Sequence, residues 1–215
     1  MKKIILSLAV VATVLTACKE NKKDKVQVNE EVKVEAKVAD TFENNVDVAA
    51  SEITWLGSKP TGTHNGVISL KEGSLVVENG TLTAGSFEID MTSITVLDIP
   101  ADAKGNADLK GHLSSPDFFD VAAFPTSKFV ITSVEDKGDK LHVTGNLTLK
   151  ETTKSITIPA VISTEGNVTT FKSDTFSVDR TDFGITYKSK KIDAALKDKF
   201  INDLMEISFT VKTKA

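Results

Sequence analysis

The chain has 215 residues, with 26 lysine or arginine and 30 aspartate or glutamate side chains, and a formal net charge of −4 at pH 7. A mildly acidic chain is poorly suited to binding nucleic acid, which attracts basic surfaces. The single cysteine excludes an internal disulfide, so any folded domain must be held together by its apolar core.

The first predicted element is an export signal that ends in an acylation site. Lys2 and Lys3 precede an apolar run, residues 4–16, which is too short to span a bilayer comfortably. The run leads into Leu-Thr-Ala-Cys, which resembles the lipobox of bacterial lipoproteins, where the chain is cut before the cysteine and the cysteine is acylated. This resemblance implies a signal peptide of residues 1–17 and a lipid anchor on Cys18. A secretory signal with an unmodified cysteine is the alternative.

An acylated Cys18 would place the protein in the cell envelope, attached to a membrane by its anchor. The expected location is the outer membrane facing the periplasm, with the cell surface as the alternative. Each buried methylene of a lipid chain contributes about 0.8 kcal/mol, and stable anchoring takes more than one chain.

Residues 18–45 are predicted to form a flexible tether behind the anchor. Residues 19–40 hold six lysines and six acidic residues but no aromatic residue, glycine or proline. The valines in this stretch follow neither a helical stripe nor a strand with an evident partner. Burial is therefore not expected to offset the entropy lost on ordering.

From residue 51 onward, apolar and polar side chains alternate with a period of two, which predicts β-strands with one buried face. The alternation is clearest in residues 141–150, 156–162 and 205–212. Between residues 81 and 91 the apolar phase slips, and Gly85 at the slip predicts a β-bulge.

About eight strands at this spacing predict an all-β fold, either a closed antiparallel barrel or a sandwich. Two places interrupt the alternation. Residues 106–121 are predicted to be a short helical or loop insertion, and residues 190–203 to contain one or two helical turns.

Four segments resemble the YceI-like family of exported proteins: residues 55–66, 112–129, 145–159 and 179–185. They contain Trp-Leu-Gly-Ser-Lys-Pro-Thr-Gly, His-Leu-Ser-Ser-Pro-Asp-Phe-Phe-Asp, Gly-Asn-Leu-Thr-Leu-Lys and Asp-Arg-Thr-Asp-Phe-Gly-Ile. Since they follow the family's order, residues 46–215 are identified as a YceI-like β-barrel domain. The resemblance implies a lipocalin-like barrel that holds a polyisoprenoid, an isoprenoid quinone or a fatty amide.

One departure from the family concerns the polar end of the ligand. The chain has Lys110-Gly111 where many members carry an Arg-Asp pair just before the His-Leu of the second segment. The identity of the ligand's head group is therefore less defined by the resemblance than its apolar tail.

Twelve side chains are predicted to form the ligand site, most of them on inward strand faces and the others in the loops at one barrel end. From the residues alone, these side chains either fill the barrel or line a cavity, and the resemblance favours the cavity. The twelve are Trp55, Ile68, Phe87, Ile89, Phe118, Phe119, Phe129, Ile131, Phe176, Val178, Arg180 and Phe183.

Arg180 follows Val178 by two residues, so a strand that points Val178 inward points Arg180 inward as well. A buried guanidinium requires a partner, because an unpaired interior charge is very costly. The partner is either a ligand head group or a carboxylate from Asp117, Asp179 or Asp182.

Two further features lie in loops or on a polar face. The Phe118-Phe119 pair either plugs one end of the barrel or gates a ligand. The three histidines, His64, His112 and His142, have no spacing typical of metal ligands, so no metal site is predicted. His112 is predicted to anchor the loop that carries Phe118.

The sequence therefore favours a non-enzymatic lipid-binding module without a cofactor. It contains no Gly-x-Ser-x-Gly, no phosphate-binding glycine loop and no His-x-x-x-His. A solid barrel that binds a partner protein through its loops is the main alternative. A lipid-modifying enzyme that uses Asp179 and Asp182, or a metal-binding protein, is a further one, and a homodimer is compatible with the binding hypotheses.

Overall fold

A computed structural model describes residues 25–33 and 44–215. The predicted signal peptide and Cys18 lie outside the described residues. Ten strands and one α-helix make up the described secondary structure, together with three short 3-10 helices. They are β1 (Val28–Glu30), β2 (Glu52–Lys59), β3 (Gly62–Glu78), β4 (Thr81–Val96), α1 (Lys104–Ser114), β5 (Thr126–Asp136), β6 (Leu141–Leu149), β7 (Thr152–Glu165), β8 (Val168–Ser173), β9 (Phe176–Asp179) and β10 (Leu204–Lys212).

The strands form a closed antiparallel barrel, as the alternation predicts. Strands β2 to β7 pair with their neighbours in chain order, β10 pairs with β2, and β8 joins β10 to β7. β9 continues the line of β8 along the same edge of β10. Eight strands thus close the wall, which confirms the all-β, lipocalin-like barrel, and β9 and β1 are short additions to it.

The irregularity predicted at Gly85 lies two residues earlier in the chain. Leu75 pairs with Gly85 and Val76 with Ala84, but Val77 pairs with Leu82, so Thr83 is the extra residue. Gly85 has a different role, because a Cβ there would lie 3.0 Å from Ile131 Cδ1. It marks a close side-chain approach inside the barrel rather than the bulge itself.

The insertion predicted over residues 106–121 contains α1 and the turns that follow it. Residues 194–199 form a 3-10 segment with a kink, within the region where helical turns are predicted. In the part of the chain that the structure describes, no helix is long and apolar enough to cross a membrane.

The prediction of a flexible tether over residues 18–45 is wrong for residues 25–33. Val28–Glu30 is a strand that pairs with β7, and Val26 is only 6% exposed within the hydrophobic core. The backbone N–H of Val26 also donates to the carbonyl of Ser177 in β9, at 3.0 Å. The local sequence gives no sign of a partner for Val26 and Val28, because their partners Ser177 and Ile156 lie more than a hundred residues away.

Candidate ligand cavity

The barrel encloses a cavity of about 570 Å³, within the range of small-molecule binding sites. Its wall is mainly aliphatic and aromatic, because the inward faces of the strands carry Ile, Leu, Val, Phe and Met. Ser127 and Arg180 are buried polar residues of the wall. Lys59, His64 and Lys188 line the cavity at the barrel end formed by the β2–β3 turn and the β9–β10 connection, which is called the mouth below. The cavity therefore offers apolar surface along its length and polar groups mainly at one end.

Ten of the twelve predicted site residues line this cavity, and Ile131 and Phe183 do not. Ile131 is 3% exposed and packs towards Gly85, and Phe183 is 1% exposed in the 3-10 helix that follows β9. Both belong to the core around the cavity. The ten that line it are Trp55, Ile68, Phe87, Ile89, Phe118, Phe119, Phe129, Phe176, Val178 and Arg180.

The prediction missed lining residues of two kinds. Phe171, Ile156 and Ile158 lie on β8 and β7, where apolar and polar residues alternate, so this pattern could have predicted that they face the cavity. Tyr187 and Ile201 come from the long connection between β9 and β10, where no periodicity indicates which side chains face the barrel.

Arg180 is fully buried, and its bonds are to protein atoms. Its Nε, Nη1 and Nη2 atoms donate to the carbonyls of Asn202, Ile185 and Ile201 at 3.2, 2.8 and 3.1 Å. Nη2 also pairs with Asp203 Oδ1 at 3.2 Å. The structure thus favours the structural role over the head-group role, but the carboxylate is Asp203 and not one of the three acidic residues considered from the sequence.

Arg180 consequently holds the connection between β9 and β10 across one end of the barrel. Burial lowers the pKa of its guanidinium, and the carboxylates of Asp203 and Asp179 act in the opposite direction. Guanidinium groups remain protonated in proteins, so Arg180 keeps its positive charge within the cavity wall.

An aromatic cluster lies beside Arg180 at the mouth. The ring of His112 contacts Phe118 and Tyr187 edge-on, with centroids 5.0 and 4.9 Å apart, and the guanidinium of Arg180 lies 5.7 Å from the Phe118 centroid. His112 Nε2 is 3.2 Å from Asp117 Oδ2. The predicted anchoring of the Phe118 loop by His112 agrees with these contacts, and Phe118, which is 6% exposed, lines the cavity together with Phe119.

Neither mouth histidine joins a metal-binding cluster. His64 Nδ1 lies 2.8 Å from Asp98 Oδ2, so each of His64 and His112 has its own aspartate partner. Among the described residues, no three His, Cys, Asp or Glu side chains converge in a way that would hold a metal ion.

Asp179 is a buried carboxylate beside the cavity wall, with a side chain that is 1% exposed. Burial alone would raise its pKa, but hydrogen bonds from Lys191, Thr181 and Lys25 hold the pKa well below its ordinary value. Asp179 is therefore ionised, and the Lys25 ammonium lies between it and Asp182, 3.0 Å from Asp179 Oδ2 and 3.9 Å from Asp182 Oδ2.

The fold and the cavity together define a lipocalin-like barrel, a closed antiparallel sheet around an apolar chamber. Residues 44–213 match the YceI-like domain, and the chain belongs to this family. The YceI proteins of Salmonella arizonae and Salmonella newport are each 38% identical to it over 78 residues, which is 36% of this chain and 40% of the relative's length. The family predicted from the sequence is confirmed.

Solved structures share the fold at low sequence identity. BcnA of Burkholderia cenocepacia superimposes with a TM-score of 0.63 at 20% identity, over 79% of this chain and all of that one. A polyisoprenoid-binding domain from Saccharophagus degradans, implicated in plant cell wall breakdown, gives 0.61 at 13% identity, over 81% of this chain and 99% of that one. The YceI protein of Campylobacter jejuni gives 0.51 at 20% identity, over 68% and 82%.

Proposed function

We propose that the protein binds one long-chain apolar lipid inside the barrel, with a polyisoprenoid, an isoprenoid quinone or a fatty amide as the ligand class. The single observation that carries this proposal is the cavity of about 570 Å³ with an apolar wall. Burial of apolar ligand surface there contributes roughly 25 cal/mol per Å². The polyisoprenoid-binding domain of the same fold supports the ligand class.

A solid barrel that acts only through its loops is the weaker candidate, because the interior is not filled. The proposed role is carriage, storage or protection of the lipid, without turnover of it.

Native mass spectrometry with lipid extraction tests the proposal on residues 19–215, which include every residue the structure describes. We expect one copurifying isoprenoid or fatty amide per chain. Ile89→Trp should lower lipid occupancy at least tenfold, because Ile89 lines the cavity and the larger ring would occupy it.

Glu88→Trp is the matched control, since Glu88 precedes Ile89 on β4 and alternation points it outward, where it pairs with Lys71. A lipid-free mass, with no uptake of added polyisoprenoid, would contradict the binding function. Equal losses in the two variants would mean that the cavity is not where the lipid binds.

We further propose that the barrel is attached to a membrane of the cell envelope through acylation of Cys18. Radiolabelled palmitate should be incorporated into the chain and lost in Cys18→Ser, which should also leave the membrane fraction. Incorporation that persists in Cys18→Ser would rule out this anchor without affecting the lipid-binding proposal.

A further inference from the structure

The barrel wall has a seam between β7 and β9, and residues from outside the family domain fill it. β7 pairs with β6 over residues 152–160 and with β8 only over residues 160–165. β9 pairs with β10 on one edge. The remaining edges of β7 and β9 would be open strand edges, which expose unpaired backbone groups.

Residues 25–32 occupy this seam. Val28, Asn29 and Glu30 pair with Ile156, Ser155 and Lys154 of β7, and Lys25 bridges to Ser177 of β9. Val26 is 6% exposed in the core, and Val28 packs against the same core. Ile156 and Val178 line the cavity on the two sides of the seam. Residues 25–32 do not line the cavity themselves, but Val26 and Val28 pack against the core cluster that contains Ile156 and Val178, so the inserted strand backs this part of the wall.

Specific groups recognise this strand at both ends. Lys25 Nζ lies 3.0 Å from Asp179 Oδ2 and 3.9 Å from Asp182 Oδ2. At the other end, Asn146 Oδ1 accepts from the backbone N–H of Val32 at 3.0 Å, and its Nδ2 donates to the carbonyl of Val32 at 2.6 Å. The seam therefore has the features of a strand-binding site. It has open strand edges, carboxylates at one end that pair with a lysine, and an amide side chain at the other end that hydrogen-bonds to the backbone of the strand.

We propose that the seam is a binding site for the strand formed by residues 25–32 and that this strand leaves the seam to admit an apolar ligand from the side. The proposal rests on the proposed lipid-binding function. The family domain begins at residue 44, so the strand comes from the segment that precedes the domain. Its departure would open the wall without breaking any pairing among β2–β8 and β10.

Departure of the strand leaves no buried charge alone. When Lys25 withdraws, Asp179 keeps its bonds to Lys191 and to the Thr181 hydroxyl. The buried polar side chains next to the strand, those of Asn146, Ser155 and Ser177, can bind water once uncovered. The strand itself pairs over only three residues, and short pairings of this kind open more readily than core strands.

The mouth is fastened more firmly than the seam. Arg180 makes four hydrogen bonds to the connection between β9 and β10, and its guanidinium lies against the ring of the buried Phe118. Breaking this network would leave a buried cation unpaired, which is far costlier than releasing the half-exposed Lys25. Entry through the seam is therefore the easier route for a long apolar chain.

A disulfide lock tests the proposal in residues 19–215, where the engineered thiols have no other cysteine to react with. Asn29→Cys with Ser155→Cys joins a directly paired couple of β1 and β7 whose side chains alternate away from the cavity. Uptake of dansyl-labelled farnesol is followed by energy transfer from Trp55, the sole tryptophan, which lines the cavity. We expect uptake at least tenfold slower in the oxidised than in the reduced protein, with the same final occupancy.

The matched control is Thr144→Cys with Thr157→Cys, which joins β7 to β6 at a permanent pairing. Its oxidation should leave the uptake rate unchanged. Equal rates in the locked and unlocked Asn29–Ser155 protein would overturn side entry, and disulfide-linked dimers would overturn binding of the strand within its own chain.

Hydrogen exchange separates failure of this proposal from failure of the proposed function. If no protein takes up the probe, the lipid-binding function fails and side entry fails with it. Hydrogen exchange then tests whether the strand leaves the seam. If it does, the backbone amides of Val26 and Val32 should exchange at least a hundredfold faster than the amides that pair β6 with β7. Equal exchange rates would overturn the removable strand whether or not the probe binds.

Discussion

Gly145 shows how a single residue shapes the cavity wall. It faces Ile131 and Ile156 in the strands on either side, and a Cβ there would lie 2.4 Å from Phe129 Cζ and 2.8 Å from the carbonyl oxygen of Val130. The ring of Phe129 lines the cavity over this glycine. The absence of a side chain at residue 145 therefore leaves the space that the Phe129 ring occupies.

We predict that Gly145→Ala lowers the free energy of unfolding by about 1–3 kcal/mol, the usual effect of overpacking a well-packed core. Gly111→Ala is the matched control, because no atom lies within 4 Å of a Cβ at this exposed position of α1. The control should raise stability by about 0.5–1 kcal/mol through helix propensity. Urea unfolding measures both, and a neutral Gly145→Ala would show that Phe129 moves freely.

At the same scale, the sequence predicted where Arg180 points but not what it contacts. Period two after Val178 predicts an inward guanidinium, and Arg180 does line the cavity, although it begins the 3-10 helix that follows β9 and does not continue the strand. Its partner Asp203 is separated from it by an irregular connection of more than twenty residues. No local pattern determines how such a connection returns to the barrel, so the sequence does not indicate Asp203 as the partner.

At the scale of elements, Arg180 joins the first part of the connection between β9 and β10 to its last residues. Three of its four side-chain hydrogen bonds go to backbone carbonyls of that connection. Lysine cannot reproduce this arrangement, because its single ammonium lacks the planar set of donors.

We predict that Arg180→Lys destabilises the protein by roughly 3–5 kcal/mol, the range for breaking a buried charged network. Lys104→Met is the control, since the Lys104–Asp108 pair on α1 is exposed and should contribute less than about 1 kcal/mol. Thermal and urea unfolding give the two values. A loss below about 1 kcal/mol for Arg180→Lys would mean that the connection is held by other contacts.

The strands themselves were predictable to different degrees. β6, β7 and β10 follow strict alternation, so their faces and approximate bounds could be assigned from the residues. β1 could not, because its three residues are stabilised by pairing with the distant strand β7, not by a pattern of their own. The sequence predicts the bulge at Gly85 and not at Thr83, because a glycine is typical both of a bulge and of a close contact.

At the scale of the whole molecule, one buried carboxylate joins separate segments of the chain. Asp179, at the end of β9, accepts bonds from Lys25 before the family domain and from Lys191 in the connection to β10. Asp182 lies 3.9 Å from the same Lys25 ammonium, and Arg180 follows directly in the chain. Protonation of Asp179 therefore weakens contacts with two separate segments at once.

The direction of the resulting pH dependence follows from the lowered pKa of Asp179. In the unfolded chain this carboxyl titrates near its ordinary pKa, about 3.9, whereas in the folded barrel its pKa is well below that value. The unfolded state therefore binds the proton first as the pH falls. The stabilisation is complete above about pH 5 and is lost progressively as the pH falls towards the folded pKa.

We predict that the urea midpoint of the native protein begins to fall between about pH 5 and pH 3, because the Asp179 carboxyl of the unfolded chain takes up its proton there, and that it falls further as the pH approaches the folded pKa. Asp179→Asn should be less stable at pH 7 but should lose less of its remaining stability over the same interval. Asp139→Asn, in the exposed hairpin between β5 and β6, serves as the control and should keep the native profile. If Asp179→Asn loses as much between pH 5 and pH 3 as the native protein does, acid unfolding originates at other carboxylates, and the contacts around Asp179 do not control it.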